Sequence, residues 1–528
     1  MERNRHGVEP QLESAGGLSR RRFVGVGLGA VGAITLGGLG KAADALAAPE
    51  VPHAKRGGTI KVSISDISSK DSYDPQRNSS TLGLMTAGML HDTLLHLDNK
   101  WHITPMLAED WTASKDAKTY TFKLRKGVEF HDGKTLDGHD VAYTFVRMLK
   151  GGPDLHGAGI FGPVLKPTGI RVLDPNTVRF NLTHPDGFFP IKIGFWYGRI
   201  IQANANFAQS QGTGPFKGKS FKGGQGFQLL RNTNYWMSGL PYLDAINGLA
   251  VTDLASKIQS VVSGDVDFSD PGDFSSNKQV SSSSSSTLLP NPYGFPYVMG
   301  IDSTKKPYTD LRVRKAMKML IDREKYVRIV AQGAGIPIAD LFIHPTDPFY
   351  PPGLKAPAHD PEQAKALLKQ AGYANGFTDT AWTAAFPGMV EMAVLFKASM
   401  ADGGITMNVK NVSIDQWSKE LLHSSVVANY WGRQHPSTMA PYMAQTGGQW
   451  NEARLHDAKI DKWIREASAT TSQARQKAIY HEIGRRYATI TSCVWPFWSE
   501  NLWPHKKRLV GLQTNPTDLV DFRRASLA

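Results

Sequence analysis

Apolar and polar residues alternate in several short segments of the first third of the chain. The segments 56–66 and 119–124, and the one that begins at Thr177, show this two-residue period, which predicts β-strands. A helix is predicted after the second of them, with Asp137 as N-cap and Asp140 in its first turn. This part of the chain therefore combines antiparallel strands with one helix.

From about Tyr297 onward the apolar residues recur at helical spacing. Segment 311–333 predicts two helices, the second restarting at Asp322. A further helix has both ends marked, with Asp360 as N-cap and Gly372 as its stop. This pattern indicates a second, differently built region of the chain.

Strands and helices then alternate, which implies parallel crossovers and an α/β domain. The predicted elements are a strand at 378–386, a helix at 389–404, a strand at 405–413, a helix at 414–422 and a strand at 425–431. In open α/β sheets, ligands bind outside the carboxyl ends of the strands. The segment Trp431–Ser437 leaves such an end, so we expect a ligand site there. The serine run 281–287 predicts a surface loop before the strand at 297–302.

Composition narrows the class of protein. A chain of 528 residues is too long for one hydrophobic core, so two or more domains are expected. The net charge of +13 comes from scattered Lys and Arg, which favours a dispersed cationic surface over nucleic-acid binding. Cys493 is the only cysteine, which excludes an intrachain disulfide and a cysteine-rich metal site.

The N-terminal segment predicts export. Three arginines at 20–22 precede an apolar run at 23–39, and Ala-Leu-Ala at 45–47 forms a cleavage site. Residues 19–24 resemble the twin-arginine motif, so residues 1–47 are predicted to be a twin-arginine signal peptide. An uncleaved anchor is the alternative. No cysteine stands at the cleavage site, so we expect a periplasmic protein without a lipid anchor and without a nucleic-acid partner.

The sequence motifs that could indicate catalysis, a cofactor or a metal are incomplete or lie in the wrong context. The G-x-G-x-x-G match at 27–32 lies inside the predicted signal, and the histidine motif at His481 lacks its second histidine. The acids and histidines at 131–132 and 139–140 suit a turn and a helix cap better than a metal site. Cys493 lies in an apolar segment that predicts a buried, inert thiol. We expect no catalytic residue, no cofactor and no metal.

Several segments occur together in the order and spacing of one family. They are "RGGTIKVSISD" at 56–66, the run from "TPMLAEDW" to "GHDVAYTF" at 104–145, "GTGPFK" at 212–217, "LRVRKAMKMLIDREKYV" at 311–327, "DPEQAKALLKQAGY" at 360–373 and "WN" at 450–451. The chain after the predicted signal resembles the extracellular solute-binding proteins of the peptide/nickel class. These proteins feed ATP-binding-cassette (ABC) importers.

The resemblance implies an α/β fold of two lobes, with an extra α+β subdomain on the first lobe. Mapped onto this chain, lobe I comprises 55–90, 220–300 and 500–528, the inserted subdomain comprises 91–219, and lobe II comprises 301–499. The lobes close on a small-molecule ligand, and an inner-membrane ABC permease recognises the closed form. The protein is then a non-catalytic receptor, and we expect a monomer.

The resemblance also bears on the ligand. In peptide-binding relatives, the segment that resembles "YWGRQHPS" carries an acid that pairs with the α-ammonium of the ligand. Gln434 stands at that position, and the second acidic position falls on Ser437. A buried ammonium without a carboxylate is costly, so a free peptide N-terminus is in doubt here. Arg433 suits carboxylates or phosphates, which makes an anionic or polyhydroxylated solute more plausible, such as a modified peptide, an opine or a sugar derivative.

Two other functions stay open, a metal-chelate receptor of the same fold and an exported cofactor enzyme. For several candidate residues, packing or a position on the outer rim is the alternative to ligand contact. The tryptophan–asparagine pair at 450–451 is placed near the cleft by the resemblance alone. The predicted ligand-binding residues are Trp431, Arg433, Gln434, His435, Trp450, Asn451, Tyr293 and Asp66.

Overall fold

The structure, a computed structural model, describes residues 51, 54–98, 100–152, 155–291, 294–515 and 519–528. The predicted signal peptide and Tyr293 lie outside these residues. Among the helices of the described ranges, none combines the length and the apolar character that crossing a membrane requires.

The strands of the described residues form several sheets, and each of the three largest belongs to lobe I, to the subdomain or to lobe II. The strands are β1 (Thr59–Ile64), β2 (Leu95–Leu97), β3 (Ile103–Pro105), β4 (Ala108–Ala113), β5 (Thr119–Leu124), β6 (Leu165–Asp174), β7 (Thr177–Leu182), β8 (Phe216–Lys222), β9 (Gly226–Arg231), β10 (Ala245–Ala250), β11 (Phe268–Ser269), β12 (Ser286–Asn291), β13 (Tyr297–Ile301), β14 (Gly335–Pro337), β15 (Thr378–Ala384), β16 (Thr406–Val412), β17 (Val426–Tyr430), β18 (Phe497–Ser499), β19 (Asn501–Lys506), β20 (Leu509–Val510), β21 (Gln513–Thr514), β22 (Val520–Asp521) and β23 (Ser526–Leu527).

The α-helices of the same residues are concentrated in lobe II. They are α1 (Thr81–Leu90), α2 (Gly138–Lys150), α3 (Ala158–Phe161), α4 (Phe189–Gly194), α5 (Leu254–Ser263), α6 (Ser276–Ser281), α7 (Leu311–Met319), α8 (Arg323–Ile329), α9 (Pro361–Gln370), α10 (Met389–Ala401), α11 (Ile414–Glu420), α12 (Pro436–Met443), α13 (Ala458–Ser468) and α14 (Gln473–Ile490).

Lobe I is built on a seven-stranded sheet in the order β12-β19-β11-β1-β10-β9-β8. Its central strand β1 runs parallel to β10 and to β11, and the outer pairs are antiparallel. Ile60, Val62 and Ile64 are fully buried in the core of this lobe, as their alternation with polar residues predicts. The strand prediction for this segment is confirmed.

The inserted subdomain contains a four-stranded antiparallel sheet in the order β4-β5-β7-β6. Helix α2 begins with a capping box, because Asp137 accepts from the backbone N–H of Asp140, whose side chain accepts from that of Asp137. Phe145 and Phe180 pack edge to face in the core between helix and sheet, with ring centroids 5.1 Å apart. The predicted strands and helix are confirmed.

Lobe II contains a four-stranded sheet in the order β13-β17-β15-β16. Strand β15 runs parallel to β16 and to β17, which confirms the crossovers predicted from the alternation of strands and helices. Asp360 caps α9, and Gly372 follows it with a φ of +90°, a left-handed conformation that favours glycine. The marked ends of this helix are confirmed.

The chain passes between lobe II and the seven-stranded sheet of lobe I twice, from β12 to β13 and from β18, which pairs with β14, to β19. Strand β8 of the seven-stranded sheet begins at Phe216, and β13 of the four-stranded lobe II sheet begins at Tyr297. The expected lobe boundaries at 220 and 301 stay predictions.

The serine run differs from its prediction as a loop. Ser281 ends α6, and Ser286 begins β12 and is buried. Ser286 lies opposite Lys506 in β19, and the Lys506 ammonium donates to Ser285 Oγ at 2.6 Å. Pairing with β19 and burial outweigh the low strand propensity of serine, so only the middle of the run is irregular.

The inserted subdomain also contacts lobe II. Phe188 is buried within the lobe II core, where its ring lies 5.8 Å from that of Tyr480. The backbone N–H of Gly187 donates to the Ser468 carbonyl at 2.7 Å. This contact brings Trp101 of the subdomain beside the segment that follows β17.

Candidate functional site

The carboxyl ends of β1 in lobe I and β17 in lobe II each carry or precede a polar side chain. Tyr430 ends β17, and Asp66 follows β1 by two residues. Burial raises the pKa of Tyr430, and the negative charge of Asp66 raises it further. The charge of Asp66 thus acts on Tyr430 from lobe I, while its carboxylate also accepts from the backbone N–H and the hydroxyl of Thr81, both at 2.8 Å.

Two half-buried tryptophans meet at the carboxyl end of β17 in lobe II. The rings of Trp431 and Trp450 are 5.5 Å apart between centroids, inclined by 57°. The Trp431 backbone N–H donates to the Pro296 carbonyl at 3.1 Å, which fixes the segment to the crossing between the lobes. The pair forms an aromatic surface of the kind that stacks on planar or apolar parts of a ligand.

A buried glutamate lies directly behind this pair. Glu452 Oε1 accepts from Trp431 Nε1 at 3.1 Å and from Asn429 Nδ2 at 2.6 Å. Burial raises the pKa of Glu452 to about 7, and the two hydrogen bonds oppose that rise. A Cβ on Gly300 would lie 2.7 Å from Glu452 Oε2, so the glycine leaves room for the carboxyl group. Sequence analysis missed Glu452, because no spacing in the chain links it to Trp431.

Arg433 lies at the contact with the subdomain. Its Nη2 is 3.6 Å from Asp347 Oδ2, and both side chains are buried. The guanidinium carbon is 4.5 Å from the centroid of the Trp101 ring, a cation–π contact. Trp101 Nε1 donates to the same Asp347 oxygen at 2.7 Å. The structure thus gives Arg433 an ion pair and an aromatic partner between subdomain and lobe II.

His435 is enclosed and does not face an open cleft. The rings of Trp101, Phe188 and Phe349 surround it at centroid distances of 4.9–5.3 Å. Its Nδ1 accepts from the Ser437 backbone at 3.1 Å at the start of α12. Burial lowers the pKa of His435 to about 3, so the ring is neutral at neutral pH. In this structure His435 therefore packs among aromatic rings and caps α12, and its contact with a ligand stays a prediction.

The remaining candidates divide into two groups. Gln434 is half-buried and borders a small space lined by Lys192 and Tyr197 of the subdomain. Asn451 instead holds its own loop, since its amide nitrogen donates to the Gln445 and Leu455 carbonyls at 3.0 and 2.9 Å. The structure therefore places Gln434 beside the subdomain and engages the Asn451 amide in loop contacts.

The residues considered for metal binding have structural partners. His131 contacts Ser210 Oγ at 2.9 Å and the Gly214 carbonyl at 3.2 Å, and Asp140 closes the capping box of α2. Across the described residues, no group of three or more His, Cys, Asp or Glu side chains is placed to hold a metal ion. Cys493 is buried, which raises the pKa of its thiol to about 12, as its apolar segment predicts.

Comparison with known families decides the class. Residues 102–453, more than half of the chain, match the family described as bacterial extracellular solute-binding proteins, family 5. The chain belongs to this family. It is the solute-binding component of an ABC importer, and the resemblance to the peptide/nickel class is confirmed.

Individual relatives are distant but cover most of the chain. Heme-binding protein A of Haemophilus influenzae is 27% identical over 424 residues, 72% of this chain and 76% of its own length. Glutathione-binding protein GsiB of Pectobacterium atrosepticum is 23% identical over 477 residues, 86% of this chain and 92% of its own. The structure of HbpA2 from Haemophilus parasuis superposes with a TM-score of 0.80 at 21% identity, covering 89% of this chain and 100% of that one. This superposition shows the two-lobed fold.

Proposed function

We propose that this family 5 protein captures a peptide-related or anionic small solute between lobes I and II and releases it unchanged to an inner-membrane permease. The observation that supports this most is the half-buried Trp431–Trp450 pair directly after the carboxyl end of β17, where α/β sheets bind ligands. A solute held there contacts both lobes and so favours their closure. The receptor acts as a monomer and carries out no bond chemistry.

The preference for an anionic solute is supported by the residues around Gln434. Gln434 replaces the acid of peptide-binding relatives, and Lys192, which lines the space beside it, is ion-paired with Asp186 at 2.5 Å. An ammonium buried there has no carboxylate, whereas a carboxylate or an acylated nitrogen meets no such penalty. Glutathione and heme, which the two curated relatives are named for binding, are both carboxylic acids.

We also propose that residues 1–47 direct export to the periplasm by the twin-arginine route, on the basis of the motif at 19–24. The double variant Arg20→Lys/Arg21→Lys should stay in the cytoplasmic fraction of its host. Undiminished export of that variant would contradict this route.

A thermal-shift panel tests the proposed function. It contains free and N-acetylated dipeptides, opines, sugar derivatives and metal chelates. We expect raised melting temperatures with peptide-related or anionic members, one bound molecule per chain by native mass spectrometry, and a smaller radius of gyration in X-ray scattering on binding. Failure of every member to bind, or chemical conversion of a bound member, would contradict the proposal.

Replacing Trp431 with alanine should weaken binding of the best panel member by about 10-fold or more, because the stacking surface and its buried area are lost. Isothermal titration calorimetry gives the dissociation constants. Trp463→Ala is the matched control, since Trp463 is also half-buried but lines a separate surface groove on α13. Equal weakening in both variants would show that the effect is general loss of packing.

A further inference from the structure

A second cavity lies between lobe I and the inserted subdomain. Its volume is ≈ 80 Å³, enough for several water molecules or a small polar group with adjoining carbons. Helix α1 forms one wall, and subdomain residues 194–199 and C-terminal residues 519–523 form others. Its apolar lining comes from Leu84, Met85, Met89, Leu97, Trp196 and Phe522.

Arg199 is the group in this cavity that requires an explanation. Its side chain is only 6% exposed, and within the described part of the chain its Nη1 has no hydrogen-bond partner. A Cβ on Gly88 of α1 would lie 2.8 Å from Arg199 Nη2, so the guanidinium rests where only a glycine leaves room. A buried guanidinium nitrogen without a hydrogen-bond partner is costly, so such an arrangement points to a ligand that supplies an acceptor.

Asp92, the acid whose charge acts on Arg199, is already engaged. Asp92 accepts from Trp236 Nε1 at 2.9 Å, from Thr213 Oγ1 at 3.2 Å and from the Tyr235 hydroxyl at 3.3 Å. Burial lowers the pKa of Arg199 to about 9, and the charge of Asp92 only partly offsets this. Asp92 therefore acts as a distant counter-charge for Arg199 and supplies it with no hydrogen bond.

The other ionisable groups of the cavity leave Arg199 uncompensated. Arg523 is paired with Asp521 at 3.0 Å. His91 and His96 line the cavity, and burial lowers the pKa of each to about 4, so both are neutral at neutral pH. Among the described residues that line this cavity, Arg199 is the cation without a hydrogen bond to an acid.

We propose that this cavity binds a carboxylate of the imported solute on Arg199, with the apolar walls receiving the carbons next to that carboxylate. One guanidinium matches one negative charge and two acceptor oxygens, which favours a carboxylate over a phosphate that carries nearly two charges. This inference rests on the proposed function, because the carboxylate belongs to the solute.

The cavity and the small space at Gln434 are lined by neighbouring residues of one subdomain segment. Trp196 lines the cavity, whereas the neighbouring Phe195 and Tyr197 line the small space at Gln434. One three-residue segment of the subdomain thus borders both places.

The test uses two sets of N-acetyl dipeptides, one with free C-terminal carboxylates and one with C-terminal amides. Native mass spectrometry identifies the bound members, and calorimetry gives their dissociation constants for the full chain. We expect the carboxylates to bind and the amides to bind at least 10-fold more weakly. Arg199→Gln should weaken carboxylate binding by about 10- to 100-fold, and Arg199→Lys should restore part of it.

Two further variants keep the test decisive if Arg199→Gln folds poorly. Gly88→Ala retains Arg199 but displaces its guanidinium group, so this variant should also weaken carboxylate binding. Arg171→Gln, at an exposed arginine of the same subdomain, should leave it unchanged. Equal binding of amides and carboxylates, or unchanged affinity in Arg199→Gln and Gly88→Ala, would overturn the carboxylate site and leave the proposed function standing. Failure of the wild type to bind either set would overturn both the peptide-related class and this site.

Discussion

Replacing Arg433 with methionine should lower the free energy of unfolding by about 3–5 kcal/mol, because it leaves the buried Asp347 without its counter-charge. Burial already raises the pKa of Asp347, and the charge of Arg433 opposes that rise. Without Arg433 the pKa of Asp347 rises further, so ionisation of this acid destabilises the fold. The loss should therefore be largest at neutral pH and should shrink as Asp347 becomes protonated at lower pH.

Urea unfolding followed by tryptophan fluorescence measures this effect. The double variant Arg433→Met/Asp347→Asn should recover part of the loss, because it removes the unpaired charge as well. Arg312→Met is the matched control. The Arg312–Asp310 pair is shorter, at 2.6 Å, but lies at the surface, so its removal should leave stability nearly unchanged. If both single variants behaved alike, burial of the Arg433 pair would not be the cause.

Local sequence rules recover most of the elements that carry the site. The two-residue period identifies β1, and alternation of strand and helix patterns identifies the parallel strands β15, β16 and β17. Asp137 and Asp360 mark helix starts, because a capping side chain acts within its own first turn. The position of Trp431 after β17 follows from these assignments alone.

The contacts that shape the site depend on residues far apart in the chain, which no period can connect. Trp101 donates a hydrogen bond to Asp347, 246 positions away in the chain. The Trp101 ring also packs against His435 and Arg433, two residues for which the sequence predicts ligand contacts. Arg199 lies against α1 because Gly88 leaves room there, which depends on tertiary packing. Side-chain burial from converging segments therefore decides which polar residues are available to a solute.

Glu452 should reduce the stability of the protein by about 3 kcal/mol as the pH rises from about 4.5 to about 7. Its pKa lies near 7 in the folded chain and at 4.5 in the reference state, so the folded state binds the extra proton between these values. Below this window the group is protonated in both states. Above it, the folded chain carries the full cost of a buried carboxylate that has two hydrogen bonds from Asn429 and Trp431 but no hydrogen-bonded cation.

Glu452→Gln should remove this pH dependence, because glutamine keeps an oxygen that can accept both hydrogen bonds and never ionises. The difference in free energy of unfolding between variant and wild type should then grow by about 3 kcal/mol between pH values of about 4.5 and 8. Denaturant titrations at both ends of this range measure it. Glu362→Gln controls for loss of one negative charge, since the Glu362 side chain is 84% exposed, and it should show no such growth. A difference for Glu452→Gln that stays constant across the range would mean that Glu452 has the same pKa in the folded and the unfolded chain, and that the polar groups around it solvate its charge as well as water does.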